Sequence, residues 1–202
     1  MSCAGRAGSA SVRVRASEVT TADGKQQVIA ELYEKFFKVG FAKQAEALGI
    51  VYTPVEIVDF ILNSADELLR QHFGQGLTDE GVHILDGFTG TGTFMTRLLQ
   101  SGLIEPHDLA RKYANELHAN EMLLLAYYIA AINIEATFHG LMADQAWAAG
   151  EDAAAVGYEP FDGIVLTDTF QMTEDGDKLD EVVFRSNNAR VQAQNDLDIR
   201  VI

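Results

Sequence analysis

The sequence predicts an α/β fold, and three observations carry that prediction. His83-Ile84-Leu85-Asp86 is a short apolar run that ends in an acid. A Gly/Thr turn follows, and Phe94-Met95-Thr96-Arg97-Leu98-Leu99 then starts a helical pattern, so the segment reads as strand, tight turn, helix. Phe161 to Phe170 gives a further apolar strand that closes on Asp168, and helical stripes lie before and between these segments.

Composition bounds the answer. At 202 residues the chain is long enough for one well-buried α/β domain, and 48% hydrophobic content excludes general disorder. The single cysteine, Cys3, cannot form an internal disulfide, which suits a cytoplasmic protein. The longest apolar run, Met122 to Ile132, is too short to span a bilayer and reads as a buried helix with Met122, Leu125, Ala126, Ile129 and Ile132 inward. A net charge of −15 with no dense Lys/Arg cluster is wrong for a protein that grips DNA phosphates. Either this chain does not hold nucleic acid, or the parts that do lie outside it.

Taken in order, residues 1–17 carry Arg6, Arg13 and Arg15 and no acid. Transit peptides and disordered leaders share that composition, and a disordered leader over 1–22 is the expectation. Gly24 to Leu48 has an apolar stripe at helical spacing through Val28, Ile29, Leu32, Phe36 and Phe37. Thr53-Pro54-Val55-Glu56 then reads as a helix start with Thr53 as N-cap and Glu56 completing a capping box. Val55, Val58, Ile61, Leu62, Ala65, Leu68 and Leu69 would form its buried face. Good capping explains Thr53; the alternative is a helix end that binds a ligand carboxylate. Glu116 follows Gly92 by 24 residues, about where a second strand places an acid against ribose hydroxyls. Met142 to Gly157 is Ala-rich and acidic and reads as a surface insertion. A short helix is expected around Ser186 to Gln194 and a strand over Asp198 to Ile202.

Three ligand classes use a turn like Gly87 to Gly92. A Walker loop needs a lysine where Thr93 stands, and a dinucleotide fingerprint needs a glycine where Met95 stands. The third is the acid-plus-glycine loop of S-adenosylmethionine-dependent methyltransferases. A strand–helix turn with no ligand is the remaining alternative.

The order of motifs is more specific than any one of them. "LYEKFF", "GIVYTPVEIVDFI", "FTGTGTF", "NELHANEMLLLAYYIAAINIE" and "LTDTFQ" follow one another along the chain. This series resembles the adenine-specific DNA methyltransferase region of Type ISP restriction–modification enzymes, single chains that also carry a helicase-like motor. The resemblance implies a Rossmann-like S-adenosylmethionine-dependent methyltransferase core over 75–202, entered by a helical segment over 23–74 that carries the amino-terminal cofactor motif. It assigns Tyr52 and Thr53 to the methionine end of S-adenosylmethionine and Asp86 to its ammonium group. Phe88, Gly90 and Gly92 belong to the loop beneath it, Glu116 binds the ribose, and Asp168 and Phe170 flank the adenine. Gly87 departs from the family, which has proline there.

A second departure concerns catalysis. The family works with an (Asn/Asp)-Pro-Pro-(Tyr/Phe) loop, yet Pro54, Pro106 and Pro160 are the only prolines and none are adjacent. The resemblance thus implies a fragment with an incomplete sheet that stops short of its catalytic loop. Such a fragment has no catalytic residue or metal ligand of its own. Double-stranded DNA would be reached through the parent enzyme and not by this acidic chain.

Overall fold

The computed structural model describes residues 53–152, 157–170 and 185–202. The chain divides into compact units Met1–Tyr52 and Thr53–Ile202, and the architecture below is that of the second. The expected leader, the stripe over Gly24–Leu48 and Tyr52 lie outside the described residues.

Among those residues the protein is α/β, with five helices and one four-stranded sheet in the order β3-β2-β1-β4. Helix α1 is Val55–Phe73, β1 is His83–Asp86, α2 is Thr93–Gln100, α3 is Leu109–Asn115 and β2 is Leu117–Glu121. Helix α4 is Leu124–Ala148, β3 is Ile164–Leu166, α5 is Arg185–Asn195 and β4 is Ile199–Val201. Every pairing is parallel, with Asp86 opposite Ala119 and Glu121 opposite Leu166. Helix α2 packs between α1 and α4, and α4 also lies on β2 and β3. Val58, Leu62, Ile84, Met95, Leu98, Leu117, Ala130, Ile134 and Phe138 form much of the core.

The start of α1 differs from the sequence expectation. Pro54 is the N-cap, no side chain caps the helix, and the Pro54 carbonyl accepts from Ile57 and Val58 at 3.0 and 3.1 Å. The ring-fixed φ of −56° with an extended ψ of 141° meets the cap geometry by itself, so Thr53 falls one residue outside and no capping box forms. The buried face of α1 is Val58, Leu62, Asp66 and Leu69, whereas Ile61 and Leu68 are exposed. Asp66 takes an inward place because its carboxylate accepts the Leu77 amide and the Arg70 guanidinium, both at 2.8 Å. It thereby fixes the turn that leads into β1.

Helix α4 also turns differently. Its buried residues include Ala126, Ala130, Asn133, Ile134 and Phe138, while Met122, Leu125 and Ile132 are exposed. The stretch expected as an insertion from Met142 is partly helix: α4 runs on to Ala148, as its alanines favour. At the sheet's β3 edge, Asn187 of α5 accepts the Leu166 amide at 2.7 Å and donates to the Leu166 carbonyl at 3.0 Å. A side-chain amide stands there in place of a neighbouring strand. No helix among the described residues is long and apolar enough to cross a membrane.

Candidate functional site

Strand order reverses at β1, which has β2 on one side and β4 on the other. In parallel sheets the crevice beyond the carboxyl ends of such strands is where ligands bind. Here that edge carries Asp86, Glu121 and, two residues past β3, Asp168.

The turn from β1 to α2 is held from below. The Thr89 amide donates to the Asn120 carbonyl at 3.0 Å, and the Thr89 hydroxyl donates to the Asp86 carbonyl at 3.0 Å. Gly90 and Gly92 have φ of +56° and +86°, a region that side chains with a Cβ rarely adopt. A Cβ on Gly90 would meet open space, whereas one on Gly92 would lie 3.3 Å from the Ala130 backbone. Gly92 therefore serves packing, and Gly90 leaves bare backbone facing open space.

Asp86 is the most unusual group at this edge. Its Oδ1 accepts the Phe88 amide at 3.1 Å, while its Oδ2 is buried with no hydrogen-bond partner. Burial pushes its carboxyl up to about 6; the Phe88 amide opposes this, and the nearby Glu121 charge adds to it. An uncompensated buried carboxylate oxygen is an acceptor for a cation.

Glu121 closes β2 beside it. Its Oε2 accepts the Gly90 amide at 2.8 Å and its Oε1 accepts the Leu123 amide at 2.7 Å. Burial raises this carboxyl too, against those amides. The Met122 amide also bonds this carboxylate, and among its roughly four acceptor positions room remains for a further donor such as a ligand hydroxyl.

Glu116, the expected ribose acid, stands elsewhere. Helix α3 runs to Asn115, so β2 begins only at Leu117 and Glu116 lies at the opposite edge of the sheet. There its carboxylate accepts the Gly81 amide and Lys112 Nζ, each at 2.8 Å, and also Arg111. Burial alone would raise this carboxyl, but Lys112, Gly81 and Arg111 together hold it below the ordinary range. It forms a structural ion pair there, and the acid at the carboxyl end of β2 is Glu121. One signal was legible: Glu121 directly precedes the apolar run of α4, as Asp86 directly precedes its turn.

The other expected residues are partly gathered. Asp168 Oδ1 accepts the Phe170 amide at 3.0 Å, and the Phe170 ring lies 5.3 Å from that of Phe88, centroid to centroid. Both rings are exposed. Between them in sequence, the Thr169 hydroxyl donates to the Gly87 carbonyl. Thr53 is half-buried just ahead of α1, and α1 is tied to α2 by Arg97, which donates to both Asp59 oxygens at 2.9 and 2.8 Å. Among the described residues no cluster of His, Cys, Asp and Glu is placed to hold a metal ion.

Comparisons with solved structures place this fold. The chain is 47% identical over 94% of its length to 14% of the Type ISP restriction–modification enzyme LlaGI, solved as a nuclease-deletion mutant with a DNA substrate mimic, at a TM-score of 0.75. It is 48% identical over 93% of its length to 12% of the ATP-dependent Type ISP restriction–modification enzyme LlaBIII bound to DNA, at 0.75. The DrdV–DNA complex matches over 92% of this chain and 17% of that one, at 41% identity and 0.76. The chain is thus homologous to a segment of Type ISP restriction–modification enzymes and spans a small part of their length. No protein-family model and no curated protein sequence matches it.

Proposed function

We propose that this chain is the cofactor-binding part of an S-adenosylmethionine-dependent DNA methyltransferase of a restriction–modification system, acting on the exocyclic amine of adenine. The observation that carries the reading is the buried, unpartnered Asp86 Oδ2 beside Glu121 at an open glycine turn. A ligand with an ammonium group and a ribose diol satisfies both carboxylates, and the methionine stem fits the space left at Gly90. Asp86 would hold the ammonium, Glu121 the ribose hydroxyls, Asp168 and Phe170 the adenine, and Thr53 the methionine carboxylate. The bound cofactor supplies an activated methyl group. This chain's residues orient it and keep it at the sheet edge.

The Type ISP relatives and the motif order support DNA as the substrate of the parent enzyme. With a net charge of −15 and no Pro-Pro loop, these residues alone place no acceptor base, so they transfer no methyl group to DNA. The test is photo-crosslinking of methyl-labelled S-adenosylmethionine to the chain, competed by S-adenosylhomocysteine. Competed labelling supports the reading. A folded chain that takes no label refutes it.

A further inference from the structure

We infer that Thr169 is the positioning residue for the adenosine half of the proposed cofactor site. The inference rests on that reading of the site and adds a residue that it does not assign.

The loops that follow β1 and β3 belong to strands that are not neighbours, because β2 lies between them. Thr169 bridges that gap. Its Oγ1 donates to the Gly87 carbonyl, and its Cγ2 lies 3.2 Å from where a Cβ on Gly87 would stand. A side chain at 87 would press on that methyl group, so a bare Gly87 and a β-branched Thr169 fit each other. The span crosses the end of β2, where Glu121 stands.

Its neighbours gain from the anchor. Asp168 Oδ1 accepts the Phe170 amide at 3.0 Å, which closes a tight local turn around Thr169. Fixing the middle residue of that turn fixes both Asp168 and Phe170, the groups proposed to flank adenine. The Phe88–Phe170 ring contact continues the same clasp at the surface. Without the Thr169 hydroxyl, ligand binding must order this loop itself, and affinity falls by that cost.

The test uses the full chain, with S-adenosylhomocysteine and 5′-methylthioadenosine, which keeps the nucleoside but lacks the amino acid, as probes in calorimetry. Thr169→Val keeps shape and methyl while removing the donor, and should weaken both ligands by about three- to tenfold. Thr169→Ser keeps the donor and should stay within about twofold of wild type. Asp86→Ala should weaken S-adenosylhomocysteine and leave 5′-methylthioadenosine unchanged. Melting temperatures should move little for either Thr169 variant. If wild type binds both ligands and Thr169→Val binds them equally well, or Thr169→Ser loses as much as Thr169→Val, Thr169 has no positioning role. If the folded wild type binds neither ligand, the cofactor reading falls first and this inference with it.

Discussion

The carboxylate of Glu121 accepts the Gly90 amide at 2.8 Å, so the last residue of β2 holds the turn that leaves β1. Five positions earlier, Glu116 ends α3 and neutralises Lys112, whose side chain is fully buried. Two acids in one short segment therefore do separate work, and substitution separates them. Glu116→Ala leaves Lys112 buried with one fewer partner and should cost about 3–5 kcal/mol in chemical denaturation. Glu121→Gln turns a side-chain NH2 toward the Gly90 or Leu123 N–H, should cost less, about 1–3 kcal/mol, and should still weaken S-adenosylhomocysteine binding. Equal loss of stability in the two variants would contradict this division.

The two positive-φ glycines differ in what surrounds them. Gly92→Ala combines a left-handed backbone with contact on Ala130 and Ile134, and should cost about 2–4 kcal/mol in denaturant titration. Gly90→Ala bears only the backbone cost, about 1–2 kcal/mol, and puts its methyl into open space where the ligand is proposed to lie. Its expected signature is a folded protein with weakened cofactor binding. Wild-type affinity in Gly90→Ala would show that the ligand does not approach this turn.

Asp86 sets a pH dependence. Its carboxyl sits at about 6 in the folded chain against an ordinary 3.8, so between those values the folded state holds the proton more tightly. Its contribution to stability is full below the ordinary value and is lost as pH rises through about 6, by at most about 3 kcal/mol. Ligand binding follows the opposite course, because an ammonium needs the ionised carboxylate. Denaturant titrations from pH 4 to 7 on wild type and Asp86→Asn should differ in slope. Affinity of the wild type should rise over the same range.

Asn187 covers the β3 edge with a side-chain amide on Leu166. Asn187→Ala leaves a backbone N–H and C=O without those partners, at about 1–3 kcal/mol, and bares a strand edge. Lower stability with concentration-dependent association by light scattering is the expected result. An unchanged monomer would show that the edge is covered by other means.

Much of this fold was legible because its strands end in acids or turns that sequence marks. His83–Asp86, the turn and α2 came from one apolar run and three glycines, and the Arg185–Asn195 helix and β4 were also placed. The inward face of α4 was not, because hydrophobic periodicity weights large residues. The helix meets the Gly92 backbone at Ala130 and Ile134, and the small Ala126 and Ala130 take inward places beside Ile134 and Phe138 while Leu125 and Ile132 are exposed. Spacing points to Glu116 for a related reason: the distance from the glycines is countable in sequence, but the boundary between α3 and a wholly buried β2 is not. Lys112, four residues before Glu116, is the sign in the sequence that this acid pairs within its own helix end. Residues that act through the backbone, such as Thr169 on Gly87, leave no pattern to read.

Calorimetric titration of the chain with S-adenosylhomocysteine tests the central claim most directly, using wild type, Asp86→Ala and Glu121→Ala. The account predicts saturable one-to-one binding by wild type, with affinity reduced at least about tenfold in each variant, the loss expected for removing a charge-assisted contact. A folded wild type that does not bind, or variants that bind as tightly as wild type, would contradict it.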